Sequence, residues 1–261
     1  MPAEYPLQRR IQDGRPLLIN AEPLQSGSDD TLHRYREGQL WAVRQGVITA
    51  ELDTGSWVVP ARHIGWIPPG VAHAARVHQA AKGLMIYLRP DMCPLFPVTP
   101  TVFDMTTLSS ALLERIAAWG SDAGRENPAE LTAPQHRQID VLFDELKISP
   151  ATPLFLPMPS SPHLVGMTLT IVADPANKLS LDDWARRVGM SRRGLTRHFR
   201  AETGMSLMQW RILARMKRAL ELLSQGDTVN RVAQRLGYDS VSTFISAFSA
   251  QFGMTPGVYA V

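Results

Sequence analysis

Four arginines, Arg192, Arg193, Arg197 and Arg200, fall within nine residues of one another. At helical spacing Leu195 and Phe199 stand four apart and form the apolar stripe that such a segment must bury. Arg192, Arg193, Thr196, Arg197 and Arg200 are then left facing outward. Like charges this close repel, and a polyanion relieves the repulsion. Double-stranded DNA offers a guanidinium two kinds of acceptor: phosphate oxygens along the backbone, and the paired O6 and N7 of guanine in the major groove. Arg193 and Arg197, four apart on the groove-facing side, are expected to read bases. Arg192 and Arg200 are expected to hold phosphate. The plainer reading, in which all four meet phosphate or water, stays open at this point.

The segment that carries them is one of two copies. Residues 181–190 align with 229–238 at an offset of 48, which lays Trp184-Ala185 over Val232-Ala233 and Val188-Gly189 over Leu236-Gly237. After one inserted residue the offset becomes 49. Leu195 and Phe199 then match Phe244 and Phe248, Gly204-Met205-Ser206 match Gly253-Met254-Thr255, and Trp210 matches Tyr259. Each copy describes two short helices joined by a tight turn. The glycine after the last apolar residue closes the first helix in a left-handed conformation. Ser191, or Asp239-Ser240, supplies an oxygen to cap the second. This is the helix-turn-helix pattern, whose second helix can lie in the major groove.

The two second helices differ in chemistry. Outward positions in the later copy are Val241, Ser242, Ile245, Ser246 and Ser249, none of them charged. They suit thymine methyls and hydroxyl contacts, with Ser240, Ser242 and Ser246 as candidate DNA contacts. Specificity should lean on the first copy. Between the copies Leu207, Trp210, Leu213, Met216, Leu220 and Leu223 mark a linking helix of about five turns. Opposite them Arg211, Arg215 and Arg218 form a basic stripe, for phosphate or for water.

The charge follows the same division. Residues 177–261 hold 13 Lys/Arg against 6 Asp/Glu, while residues 1–176 hold 14 against 18. The chain has 261 residues, 44% hydrophobic and 20% charged, which is ordinary for a globular protein and argues against wholesale disorder. Its one cysteine, Cys93, rules out a disulfide framework and any cysteine-cluster zinc site. No apolar run approaches membrane-spanning length, and the N-terminus has no apolar core of a signal peptide. The expected compartment is the cytoplasm.

Residues 38–105 read as short strands rich in β-branched and aromatic residues, around Trp57-Val58-Val59, Ile64–Ile67 and Leu84–Leu88, with turn material at Asp53–Ser56 and Pro68-Pro69-Gly70. The first 30 residues read as an arm with one strand at 17–20. Helical periodicity starts at Leu108. Leu112, Leu113, Ile116 and Trp119 mark one helix; after a loop at 120–128, Ile139, Leu142, Phe143 and Leu146 mark another. Five prolines in 150–162 predict an extended boundary, and 163–260 read as almost wholly helical. The fold class expected is α+β: a first domain built as a small β-barrel or sandwich (1–105), linking and pairing helices (106–160), and an all-α domain with two helix-turn-helix units (161–261).

The later stretch resembles the DNA-binding domain of the AraC/XylS family of bacterial transcription regulators over roughly 163–260. The resemblance rests on Gly237-Tyr238-Asp239-Ser240, then Phe244 and Phe248, then Phe252-Gly253-Met254-Thr255-Pro256 and Tyr259. It implies that Arg193, Thr196 and Arg197, and Ser242 and Ser246, face DNA. Many members carry a long polar residue where Ser246 stands, so base reading by the second unit is in doubt. The first half resembles the cupin-type sensor of the same family, with His33–Leu40 like the first cupin motif and Pro68–His73 like the second. The segment that joins the halves is similar to a subgroup found near efflux-transporter genes.

Catalytic cupins hold a metal with His-x-His, a following Glu and a later His. Here Tyr35 follows His33, and Gln39, a neutral amide, stands near the Glu position. Only His33 and His73 remain as ligands, and two rarely hold a metal, so no cofactor is expected; a metal effector stays open if His63 or His78 contributes. A barrel mouth lined by His33, Tyr35, Gln39, Trp41, Trp66, His73 and Tyr87 suits a small organic effector, although each aromatic could equally fill the core. The leading reading is a one-component, effector-controlled transcription regulator that is not an enzyme. Its partners would be double-stranded promoter DNA, a small molecule, RNA polymerase if it is an activator, and a second copy of itself. Leu112, Ile116 and Trp119, or Ile139, Leu142 and Phe143, could supply the pairing seam. The alternative is a metal-dependent cupin enzyme with a nucleic-acid tether, and a third reading is a non-specific architectural DNA binder. Cys93 is expected to be a structural thiol.

Overall fold

The structure, a computed structural model, describes residues 16–20, 27–119, 130–149 and 154–259. Most of the N-terminal arm and all of the loop expected at 120–128 lie outside the described residues. The chain divides into two compact units, one of residues 1–48 and 59–153, the other of 49–58 and 154–261.

The first unit contains β1 (Leu17–Asn20), β2 (Gly27–His33), most of β3 (Gly38–Leu52), the end of β4 (Gly55–Pro60), β5 (His63–Ile67), β6 (His73–Leu88), β7 (Thr101–Asp104), and helices α1 (Thr107–Ala117) and α2 (Ala133–Ile148). β1 and β2 both pair antiparallel with β6, β3 lies between β6 and β5, and β7 closes onto β5. β2 was not expected. Its sequence, Gly-Ser-Asp-Asp-Thr-Leu-His, lacks apolar alternation, and pairing with β6 makes it a strand.

Strand alternation splits the sheet into two faces. Leu40 and Ala42 of β3, Ile64 and Trp66 of β5, Leu84, Ile86 and Leu88 of β6 and Phe103 of β7 share one buried cluster with Leu113, Ile116, Ile139, Leu142, Phe143 and Leu146 of the two helices. This corrects the expected pairing seam. Ile116, Ile139, Leu142 and Phe143 are each at most 4% exposed, and Leu112 and Trp119 pack against the same cluster. These side chains hold the helices on their own sheet. Thr106 and Thr132 cap the two helices, each accepting from the backbone N–H three residues on.

The opposite face carries Gln39 and Trp41 of β3 and both His73 and Tyr87 of β6. A straight strand would hold those last two about 46 Å apart, at roughly 3.3 Å per residue. Both rings lie within 6.0 Å of the Tyr35 ring, so β6 curls strongly along its length.

The second unit contains the tip of the β3–β4 hairpin, β8 (Phe155–Pro157) and helices α3 (Pro162–Ala173), α4 (Leu181–Arg187), α5 (Arg192–Thr203), α6 (Leu207–Ser224), α7 (Val229–Arg235) and α8 (Val241–Phe252). The described part of the proline-rich segment ahead of α3, residues 154–161, is extended as expected, and part of it pairs: Gly55, Ser56 and Trp57 face Pro157, Leu156 and Phe155. Trp57 stacks on Phe155 at 4.7 Å, and Trp210 of α6 donates its Nε1–H to the Pro157 carbonyl at 2.6 Å. Lys217 of α6 donates to Ser56 Oγ (2.5 Å) and meets Glu51 (3.2 Å).

Candidate nucleic-acid interface and effector site

The two helix-turn-helix units share the bonds of their turns and second-helix caps. Gly189 and Gly237 turn the chain at φ of 68° and 73°, where a side chain would be strained. Met190 N–H donates to the Ala185 carbonyl, and Tyr238 N–H to that of Ala233, at 2.9 and 3.0 Å. α5 and α8 each run twelve residues. Ser191 and Ser240 cap them by accepting from the N–H of Gly194 and Thr243, both at 3.1 Å, and Gly204 and Gly253 end them in the left-handed region. The inserted residue is Asp239, which lengthens the second turn and pairs with Lys178 at 3.2 Å.

Buried side chains hold α5 in place. Leu195 and Phe199 are fully buried with Trp184, Ala185 and Trp210. Glu202 accepts hydrogen bonds from the backbone N–H groups of Ser160 and Ser161 and from both hydroxyls, which ties the helix to the start of α3. In α8 Phe244 and Phe248 take the equivalent places, and Phe248 meets Phe252 and Tyr259.

Against that core the predicted DNA-facing side chains of α5 come together. Arg192, Arg193, Thr196, Arg197 and Arg200 are all exposed and line one open depression. Arg192 makes a loose surface pair with Asp182 (3.2 Å), and Arg197 lies 3.4 Å from the His198 ring nitrogen. Among the described residues Arg193 and Arg200 have no carboxylate partner. Thr196 donates its hydroxyl to the Arg192 carbonyl at 2.9 Å, so it can only accept from a partner. Ala201 also lines the depression, whereas the exposed His198 does not.

On α8 Ser242 and Ser246 are exposed, whereas Ser240 is occupied as the cap. Ser249 is turned inward, with Oγ buried and unbonded in the described structure. The basic stripe of α6 has a different use from either one expected. Arg211 donates to the carbonyls of Leu179 (2.9 Å) and Asn177. Arg215 donates to that of Pro175 (2.8 Å) and lies 5.6 Å over the Tyr238 ring. Arg218 pairs with Glu221 at 2.7 Å. The first two bind the 175–179 segment to the linking helix.

Within the first unit most of the expected effector residues form one cluster. His33 meets His73 at 4.5 Å and Tyr35 at 5.0 Å; Tyr35 meets Tyr87 at 5.5 Å; Trp41 meets His73 at 5.7 Å. Trp41 donates its Nε1–H to Gln39 Oε1 at 3.0 Å, and the buried Gln39 amide nitrogen has no partner in the described structure. Trp66 is the exception. It pairs in register with Leu40, faces the helices, stacks on Phe96 at 4.1 Å and donates to the Pro97 carbonyl. It is a core residue.

Among the described residues no group of three or more His, Cys, Asp or Glu side chains could share a metal. His63 is engaged with the Ala61 carbonyl (2.9 Å) and Asp104 (3.4 Å), and burial holds its pKa below the ordinary histidine value. Burial also pushes the Cys93 thiol up to about 11, which makes it a poor nucleophile. Among the described residues no helix is long and apolar enough to cross a membrane.

Residues 25–148 match the AraC-like ligand-binding domain family, and residues 184–260 match a helix-turn-helix domain family. The chain is 34% identical over 239 residues to the HTH-type transcriptional regulator NimR of Escherichia coli (strain K12), covering 90% of this chain and 85% of that protein. Among solved structures it is similar to the DNA-binding domain of AdpA in complex with a target DNA, at 31% identity over 38% of this chain and 90% of that one, with a TM-score of 0.36. ToxT from Vibrio cholerae matches over 94% of this chain and 98% of its own at 10% identity and a TM-score of 0.38. The chain belongs to the AraC family of helix-turn-helix transcription regulators, proteins that act by binding DNA rather than by catalysis.

Proposed function

We propose that this regulator reads promoter DNA with α5 and α8 in successive major grooves on one side of the duplex, with α5 supplying most of the base discrimination. The carrying observation is the pairing of identical scaffolds with unlike faces. The turn, caps and core of the two units superimpose in sequence, yet Arg193 and Arg197 of α5 correspond to Ser242 and Ser246 of α8. In this reading Arg193 and Arg197 meet guanine edges and Arg192 and Arg200 meet phosphate. Ser242 and Ser246 make short, sequence-tolerant contacts in the second groove.

A small molecule held among His33, Tyr35, Gln39, Trp41, His73 and Tyr87 sets the DNA affinity. The Gln39 amide nitrogen, buried without a partner in the described structure beside these aromatic rings, supports that assignment. Such control requires that the ligand bind the two states of the regulator with different affinity. Where it activates, it also meets RNA polymerase. In the division of labour proposed, 1–105 senses, 106–160 links and pairs copies, and 161–261 reads. Any pairing through α1 and α2 uses their exposed Leu108, Val141 and Ile148, since the other large apolar side chains are committed to the core.

The test is a footprint of the full chain on its own upstream DNA. Two protected blocks about one helical turn apart, with base substitutions costing more in one block than the other, support this reading. One block, or two blocks equally sensitive to substitution, contradicts it.

A further inference from the structure

The first unit holds a cavity whose lining shares no residue with the aromatic cluster. It measures about 450 Å³ and is lined by Arg44 of β3, Arg62 of the β4–β5 turn, Met105, and residues of the start of α1, among them Thr107, Ser110 and Glu114. That volume is within the range of small-molecule sites, roughly 300–1,000 Å³.

Arg62 is the unusual member. It is the sole non-glycine residue with positive φ among the described residues, at 65°. That conformation is uncommon for a bulky side chain and ordinary for glycine. The backbone leaves it no freedom: its N–H donates to the Val43 carbonyl at 2.8 Å, and its carbonyl accepts from the Met105 N–H at 2.9 Å. A rigid point shared by β3, the turn and the approach to α1 therefore aims a guanidinium at the cavity. Among the described residues no carboxylate or carbonyl bonds to that guanidinium. Arg44 is loosely engaged, 3.5 Å from Glu114 with both side chains largely exposed. The hydroxyls of Thr107 and Ser110 line the same space. Non-glycine residues held in the left-handed region by their surroundings cluster at active sites and ligand clamps.

We propose that this cavity binds a small monocarboxylate, with Arg62 as its principal anchor and Arg44 and the Thr107 and Ser110 hydroxyls as secondary contacts. Arginine's planar fork matches a carboxylate with two parallel hydrogen bonds. Of the three charged lining residues two are arginines and one is Glu114, so the cavity offers one net positive charge. One negative charge balances that, whereas a phosphate dianion would meet Glu114 and the nearby Asp104 with charge to spare. Met105 and Ala111 provide apolar wall for a short carbon skeleton. This site is independent of the aromatic cluster and of DNA reading.

The experiment titrates the full chain with sodium benzoate, and separately with sodium phosphate, by calorimetry at constant ionic strength. The wild type is compared with Arg62→Gly and Arg44→Gln. The expected result is benzoate binding to the wild type, at least tenfold weaker phosphate binding, and at least tenfold weaker benzoate binding in Arg62→Gly. Without probe Arg62→Gly melts at the same temperature or about 2–4 °C higher, because glycine accepts the turn without strain. Its DNA affinity without probe stays unchanged. Arg44→Gln weakens benzoate by a smaller factor. The proposal is overturned if the wild type takes up no benzoate, if benzoate binding survives Arg62→Gly, or if phosphate binds as tightly as benzoate.

Discussion

Replacing Arg197 with alanine separates base reading from phosphate contact. Arg197 is exposed, with only the His198 ring nitrogen near its guanidinium, so its removal disturbs no ion pair of the folded chain. Its whole effect should appear in DNA binding. A bidentate arginine–guanine pair discriminates by about 1–3 kcal/mol, which is roughly 5- to 150-fold in affinity. Arg200→Ala is the matched control, since a phosphate contact carries no sequence information. It should weaken cognate and scrambled DNA by the same factor and reduce the slope of log affinity against log salt by about 0.9. Arg192→Ala should do the same with a smaller loss, because the arginine first has to leave Asp182, a surface pair worth about 0–1 kcal/mol. Fluorescence anisotropy at three salt concentrations, with cognate and scrambled duplexes, reads both quantities. Arg197→Ala should lower cognate affinity far more than scrambled affinity. If it weakens both equally and changes the salt slope as Arg200→Ala does, Arg197 is a phosphate clamp and the assignment of readers on α5 is wrong.

Other consequences follow from the cores and the buried titratable groups. Phe199→Ala empties a fully buried position that meets Trp210 edge-on at 6.0 Å; it should cost about 3–5 kcal/mol in urea melts and abolish DNA binding through loss of α5. Phe248→Ala, its counterpart in the second unit, should cost a similar amount. His63 has its pKa lowered, first by burial and against the pull of the Ala61 carbonyl and Asp104. The unfolded chain therefore binds more protons below about pH 6.5, and stability from this group is complete above that pH and drains away as pH falls toward the lowered value. His63→Gln should flatten the stability profile in that window; an unchanged profile would show that another group titrates there. With its pKa near 11, Cys93 should react with a thiol reagent no faster than the chain unfolds, and rapid labelling of the native chain would contradict its placement.

The helical unit was legible because its signals are local. A glycine after an apolar residue, a serine before a run of arginines, and phenylalanines at helical spacing each report on a few neighbouring bonds, and each recurs one unit later. The sheet's faces were less legible because they depend on register. Trp41 and Trp66 look alike in sequence, but pairing of Leu40 with Trp66 sends Trp66 to the helices while Trp41 joins the histidines. The apolar stripes of α1 and α2 indicated helices that bury one face, without saying whether a sheet or a second copy covers it. The arginines of α6 were read as a surface stripe, because nothing local shows that the carbonyls of residues 175–179 lie against them. The strained turn at Arg62 left no mark in the sequence, where Ala61-Arg62 resembles any polar hairpin.

The central claim is that this chain recognises a DNA sequence rather than DNA in general. The direct measurement is a titration of the purified chain against its own upstream intergenic DNA and a scrambled duplex, at about 50 and 200 mM salt. Phosphate contacts weaken steeply across that range, whereas base contacts carry the difference between the two duplexes. Preference for the upstream DNA that persists at the higher salt is the result predicted. Equal binding to both duplexes, collapsing together as salt rises, would contradict it.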